Sequence, residues 1–369
     1  MNRRLSILLA WGALLLLPRP THAQVTPAAG YVPPDDTPTV KVGGLIFLDY
    51  TFTKQPKATD SDGNVVSANA FNLVRTYINV TGNFNHALSF RITPDISRET
   101  GSGSSLNGSL VFRLKYGYAQ YSLDDWTGKW KGTWVRFGMQ QHPFIDFQES
   151  VYRYRFQGTV FIERDGGIPS SDAGVSFHTN IPGNYGDVHV GVFNGEGYGK
   201  PEVNNEKGLM VRGTVRPMPA GKYSRGLRLT AFYTGDNYVR DGERTRLVSS
   251  VWFEHPHVNM GIDYLKMHDQ TSARTASVEA QGYSFFVVPA FKEKGRGPEV
   301  LLRFDAYKPN TAVVGQQRKR LIVGAAYWFP HQGTITSCLL VDFEQVTFHN
   351  FSPTQPTQQK LMVHGLINF

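Results

Sequence analysis

The last eleven residues, Gln359–Phe369 (QKLMVHGLINF), alternate between two faces. Leu361, Val363, Gly365, Ile367 and Phe369 fall on one side; Lys360, Met362, His364 and Asn368 fall on the other, with Leu366 the one misfit. A period of two with one apolar side marks a strand. The strand runs to the last residue and stops on a phenylalanine of its apolar face, where a free C-terminus usually frays into polar residues. A closed membrane barrel needs such a final strand, because its last strand must pair with its first so that no backbone edge meets lipid. A terminal strand of a soluble β-sandwich fits the same eleven residues, so the decision falls to the rest of the chain.

Met1–Ala23 carries Arg3 and Arg4, an apolar run from Leu5 to Leu17, and a small-residue site ending Thr21-His22-Ala23. This is the pattern of a secretory signal peptide cut at Ala23/Gln24, and it is too short for a membrane span. No cysteine follows the cut, which argues against a lipid anchor. The remaining 346 residues hold no second apolar run of the roughly 18 residues that a spanning helix needs. Mean hydropathy is low (−0.31) although aromatics reach 13%. That combination suits a barrel, whose lipid band uses alternate residues and whose rims carry aromatic girdles; a secreted β-enzyme has similar totals. The single cysteine, Cys338, excludes an intramolecular disulfide framework and a cysteine zinc site. Without Arg3, Arg4 and Arg19 there are 35 basic and 30 acidic residues, too mild a bias to imply nucleic acid.

Gln24–Thr39 is rich in proline and small residues and reads as an extended periplasmic arm leading into a barrel over 40–369. From Val40 onward, strands alternate with Gly, Asn, Asp and Pro clusters. The expected strands begin with Val40–Thr53, Ala70–Gly82, one ending near Ser97, Leu110–Tyr121 and Thr133–Gln141. They continue with Asp172–Asn180, Asp187–Asn194, Gly208–Arg216, Arg225–Thr234, Thr245–Glu254 and Val258–Met267. The last are Ser277–Val288, Glu299–Tyr307, Lys319–Phe329, Ile335–Phe348 and Lys360–Phe369. The fold class is therefore an all-β transmembrane antiparallel barrel of about 16 strands. An even count with short turns at one end and longer loops at the other is the bacterial pattern.

Strand parity then sorts side chains. Phe112, Leu114, Tyr116 and Tyr118 oppose Arg113, Lys115, Gly117 and Ala119, and the first set is expected to meet lipid. A charge on the lipid face costs about 2–4 kcal/mol at mid-depth. The same rule sends Arg75, Arg91, Arg136, Arg212, Arg228 and Arg303 inward. Inward acidic residues, Asp263, Asp305, Asp342 and Glu344, lie in the C-terminal half, so the wall is expected to be polarised. Any one such arginine can simply bond loops or acidic neighbours, whereas a row of them lowers the barrier to anions. The first strand is untidy, since Leu45 and Phe47 share parity with Lys41 and Asp49.

The longest break, His142–Ser171, holds Pro143-Phe144-Ile145-Asp146-Phe147 and Val151-Tyr152-Arg153-Tyr154-Arg155-Phe156. It is too aromatic for a free surface loop. One reading folds it into the lumen, where Arg153 and Arg155 beside Glu149 form a filter; the other has it cap the barrel or meet a neighbouring subunit.

The chain resembles the phosphate-selective porin O and P family over most of Lys41–Phe369. The likeness rests on Phe71-Asn72-Leu73-Val74-Arg75 with Gly82, Tyr118-Ala119-Gln120-Tyr121 and Phe137-Gly138-Met139-Gln140-Gln141-His142-Pro143-Phe144. Further along it rests on Ile162-Glu163-Arg164, Val192-Phe193-Asn194-Gly195, Leu302-Arg303-Phe304-Asp305 and Gly324-Ala325-Ala326-Tyr327-Trp328-Phe329. The resemblance implies a sixteen-stranded, trimeric barrel with an inward third loop and an arginine ladder passing phosphate-like anions. One departure is that the adjacent arginine pair common on the family's second strand is here Val74-Arg75.

The expected function is passive, anion-preferring diffusion of small anions such as phosphate across the bacterial outer membrane. The pore residues are then Arg75, Arg91, Arg113, Lys115, Arg136, Arg153, Arg155, Arg212 and Arg303. Phe369 is an assembly determinant read by the barrel assembly machinery, the partners are outer-membrane lipid and two further copies, and no cofactor or metal is called for. A general porin, one for another solute, or a β-fold hydrolase or lectin remain alternatives. There is no G-x-S-x-G or H-E-x-x-H sequence and no Cys/His cluster of metal spacing. A soluble protein would leave the membrane fraction without detergent.

Overall fold

Alternating apolar residues, broken at Gly, Asn and Pro, pair into one closed antiparallel barrel of sixteen strands in a computed structural model that describes residues 35–202, 204–291, 296–331 and 334–369. The strands are β1 (Thr39–Gln55), β2 (Asn69–Asn83), β3 (Leu88–Arg98), β4 (Leu110–Ser122), β5 (Trp134–Gln141), β6 (Ser171–Ile181), β7 (Gly186–Phe193) and β8 (Gly208–Val215). They continue as β9 (Leu227–Val239), β10 (Gly242–His255), β11 (Val258–Asp269), β12 (Val278–Pro289), β13 (Gly297–Lys308), β14 (Gln317–Phe329), β15 (Thr336–His349) and β16 (Gln358–Asn368). A small two-stranded ribbon, Ala58–Thr59 with Val65–Val66, sits in the first long loop. The signal peptide and most of the arm lie outside the described residues.

Neighbours in sequence pair with each other, and β1 pairs with β16 to complete the ring. The seam extends one step past β16. The Phe369 N–H donates to the Gly44 carbonyl at 3.0 Å and the Gly44 N–H to the Phe369 carbonyl at 2.9 Å. The Phe369 ring lies over Gly44, where a Cβ would come within 2.4 Å of the ring tip. The aromatic side chain thus occupies the space that Gly44 leaves, the arrangement in which a strand glycine is covered by a cross-strand ring.

Register shifts fall near the strand ends after Thr53 on β1 and Asn237 on β9, and further inside the wall on β2 and β4. Pro94 pairs with Leu114 and Thr93 with Tyr116, so Lys115 is the extra residue. Beyond it Tyr116, Tyr118 and Gln120 turn inward, and the expectation that Tyr116 and Tyr118 face lipid is corrected. Pro94 has no N–H for the ladder, which is why the irregularity falls there. On β2, Val74 is the extra residue between Arg75, opposite Phe47, and Leu73, opposite Leu48. The hairpin β9–β10 is longer than expected. Asp236 and Arg244 face each other across it and form an ion pair, which extends the ladder to a tight turn at Arg240-Asp241.

Residues 142–170 fold into the barrel and form two short helices, α1 (Ile145–Val151) and α2 (Phe161–Gly166). The second ends on Gly167, whose φ of 64° favours glycine. Phe144, Ile145, Tyr152, Tyr154, Phe156, Phe161 and Ile162 are all at most 2% exposed. They pack on inward residues of β9–β15 such as Phe232, Trp252, Leu265, Phe286, Leu301 and Trp328. Each buried side chain contributes about 1.5–3 kcal/mol, so the loop is an internal core. The untidy first strand is explained by it: Phe47, 2% exposed, meets Phe156 of the loop with ring centroids 6.3 Å apart. Cys338 on β15 is buried in the same core, beside Tyr154, Arg153 and Glu299.

Candidate functional site: the basic wall and the inward loop

The acidic half of the wall receives the loop. Asp263 accepts hydrogen bonds from Gln148 of α1 at 2.7 Å and from Ser250 and Trp252. Glu299 accepts from the Tyr154 hydroxyl at 2.7 Å and from Trp328 at 2.9 Å. Glu344 accepts from Gln157 at 3.4 Å and pairs with Arg320 at 2.7 Å. Buried carboxylates need such partners; with these made, the acidic wall is covered by the loop. What remains open is the side formed by β2–β5, together with β6–β9 near the short-turn end.

Arg91 and Arg136 are the fixed charges on that open side. Arg136 Nε and Nη2 donate to Gln120 Oε1 at 3.2 and 2.8 Å, and Nη1 to Gln141 Oε1 at 2.9 Å. Its guanidinium lies 4.2 Å from both the Tyr118 and the Trp134 rings. The bulge on β4 is what brings Tyr118 and Gln120 to the inner face for this purpose. Arg91 donates to Asn79 at 2.8 Å and Thr93 at 2.9 Å and stacks on Tyr116 at 4.6 Å. Among the described residues neither is in an ion pair, so their neutral partners orient them without cancelling their charge.

The other expected residues are placed differently. Arg75 and Arg113 share one fully buried carboxylate, Asp95, with Arg113 3.4 Å from it; Arg113 also donates to Ser97 at 2.9 Å. Arg153 reaches Glu299 at 3.4 Å and covers Trp328. Arg155 is braced inside the loop by Glu149 at 2.7 Å and Glu163 at 3.3 Å. Lys115, Arg212 and Arg303 are 3%, 3% and 2% exposed. Lys115 sits against Tyr77 and Tyr116, Arg212 is paired with Asp187 beneath Phe147, and Arg303 joins Asp305 to the Thr159 carbonyl of the loop. These three side chains point inward but are almost wholly covered by loop or wall, Arg212 alone bordering a cavity, because parity sets a direction and not how much of the lumen the loop fills.

A cavity of about 390 Å³ lies between α1 and the wall, lined by Trp134, Arg136, Asp146, His178, Arg212 and Arg228, among others. A neighbouring one of about 310 Å³ reaches Lys41, Arg91, Tyr118 and Gln120. Asp146, exposed on α1, acts electrostatically on Arg136, Arg91 and Lys115. His142, at the start of the loop, is held down to about 3 by burial and by Arg244, so it adds no charge at neutral pH. A third cavity, about 500 Å³, opens at the long-loop end over Arg164, Arg320, Lys360 and Glu344. Several residues that shape the site were not singled out from sequence, namely Asp95 and the loop anchors Arg246 and Arg318, while Gln120 and Gln141 entered only within the stretches that carry the family likeness. Asp95 was within reach of parity, since Arg91, Thr93, Asp95 and Ser97 alternate on β3. No group of His, Cys, Asp and Glu among the described residues is arranged to hold a metal ion.

No protein-family model matches the chain, and no curated protein matches it. Solved structures do. The chain is similar to the outer-membrane-expressed OmpT of Vibrio cholerae, with a TM-score of 0.62, 9% identity and coverage of 92% of this chain and 100% of that one. It is also similar to an anion-selective porin from Comamonas acidovorans, with a TM-score of 0.59, 12% identity and coverage of 90% and 100%. The outer membrane channel DcaP of Acinetobacter baumannii gives a TM-score of 0.59, 11% identity and coverage of 90% and 97%. At these identities the likeness establishes the outer-membrane-type barrel fold.

Proposed function

We propose that the chain is an outer-membrane porin that lets small anions diffuse passively through the gap between α1 of the inward loop and the basic wall of β2–β5. The long-loop end then faces outside, and the first strand begins and the last strand ends on the periplasmic side. The observation that carries the reading is the pair Arg91 and Arg136, fixed by amides, a hydroxyl and aromatic rings with no ion-pair partner among the described residues. Two unit charges 4 Å apart attract by about 1 kcal/mol in water but about 4 kcal/mol at an effective dielectric near 20. Two such contacts spaced along the path favour an anion without trapping it. The structural likeness to an anion-selective porin supports the same direction. Oxyanions such as phosphate suit guanidinium donors, and the sequence resemblance to phosphate-selective porins is the further ground for naming them. A trimeric form of a similar barrel supports assembly of three copies.

The test is the reversal potential of detergent-purified protein in a planar bilayer under a KCl gradient. Anion preference is expected, and Arg91→Gln with Arg136→Gln is expected to reduce it several-fold while the protein remains heat-modifiable. A cation-preferring wild type overturns the reading. A general porin is the second reading, favoured by Asp95, which neutralises much of Arg75 and Arg113, and by Asp146 across the gap; unchanged selectivity in the double variant would establish it.

A further inference from the structure

The outer face of the barrel carries an uneven charge near the long-loop end. On β11, Lys266 lies between Leu265 (0% exposed) and Met267 (5%) and points away from the lumen, in line with Ile262 and Tyr264. The register sets Gln281 of β12 opposite Lys266, and Lys308 of β13 opposite Gln281. One row nearer the middle of the wall stand Tyr264, Tyr283, Ala306 and Lys319, each the partner of the next across β11–β14. Strands are about 4.8 Å apart and alternate residues about 6.8 Å apart along a strand. Successive lysines therefore rise within about 10 Å of each other, and their flexible four-carbon stems close the rest. None of the three is in an ion pair among the described residues; the nearby carboxylate Glu279 is taken by His268 at 2.5 Å. A groove of about 370 Å³ runs beside Lys266, with Tyr233 and Leu247 in its own row and Thr245, His268 and Glu279 in the row beyond.

Depth is marked independently. Tyr264 and Tyr283 are exposed on this face, with Phe285 and Ile262 below them, which is the composition of an interfacial aromatic girdle. The lysines stand in and just beyond that girdle, at the level of lipid phosphates. We infer that the β11–β14 face binds a phosphorylated lipid headgroup of the outer leaflet, its phosphate on Lys266, Lys308 and Lys319 and its acyl chains against Ile262, Tyr283 and Leu321. Charge-assisted bonds from ammonium to phosphate supply the recognition. The inference rests on the porin reading for the placement of this wall in an outer-membrane bilayer with the long-loop end outside, and on nothing about the pore.

Native mass spectrometry of the full-length protein in detergent, titrated with diphosphoryl lipid A or with phosphatidylcholine, tests it. The lipid A complex is expected to be at least tenfold tighter. Lys266→Gln with Lys308→Gln and Lys319→Gln should lose that tenfold, and the three Lys→Arg changes should keep it. Lys54→Gln on another wall should leave it unchanged. If the triple variant does not fold, Lys266→Gln and Lys319→Gln singly should each weaken binding about threefold. Equal retention of phosphatidylcholine, or of lipid A by the glutamine variants, overturns the inference. So does displacement of lipid A by millimolar inorganic phosphate, which would make the lysines a site for free phosphate and not for a lipid. A channel that conducts anions normally yet shows no lipid preference overturns this inference alone.

Discussion

Asp95 governs two arginines from a fully buried position. It pairs with both Arg75 and Arg113 and accepts from the Tyr198 hydroxyl at 3.2 Å. Asp95→Asn keeps the shape and removes the charge, so two guanidinium groups gain full weight in the pore. The expected result is a reversal potential shifted further toward anions; a shift toward cations would show that Asp95 is not what restrains them. At this scale parity placed Arg91 and Arg136 on the inner face but said nothing of their partners. Asn79, Gln120 and Gln141 come from other strands or from the far end of the same strand, and whether an arginine meets an amide or a carboxylate depends on cross-strand register, which is not written locally.

The third long loop shows the same division at the level of elements. Its aromatic content forced a choice between the lumen and another surface, and its inward packing is what makes the lumen narrow. Of the acids that dock it, Asp263 and Glu344 were legible as inward residues of the C-terminal strands and Glu299 was not singled out; that any of them serves the loop was not legible, because Gln148, Tyr154 and Gln157 lie more than 100 positions away in the chain. A hydrogen bond to a charged group contributes about 1.5–3 kcal/mol, so Tyr154→Phe should shift the loop toward an undocked state by roughly tenfold, read as added open-channel noise. Shortening the loop between Phe147 and Gln157 should raise single-channel conductance, and an unaltered conductance from a folded variant would place the constriction elsewhere. The bulges were harder to see. Pro94, inside a strand, is the one local signal, and it does not say which side chain of β4 is passed over.

Closure of the barrel and selectivity of the pore belong to the whole molecule. The Phe369 ring occupies the space above Gly44, so Gly44→Leu should lower the yield of heat-modifiable barrel, and Phe369→Ala should partly restore it in that background. Failure of the second change to help would mean that the seam does not depend on this contact. Because Arg91 and Arg136 are partly exposed, anion preference should weaken between 0.1 M and 1 M KCl, where the screening length falls from about 10 Å to about 3 Å; a constant permeability ratio would point to a dry filter. About sixteen strands were readable from alternation and the turn clusters that break it, and closure was expected from the last strand, since lipid imposes one rule on every strand. The lumen obeys no such single rule. The only cysteine of the chain lies there, 3% exposed and packed among the residues that hold the loop. The protein therefore carries its own clock for the loop: a maleimide can reach Cys338 only in the moments when the docked state lets go, so the labelling rate counts those moments directly, in the native sequence and with no current measured.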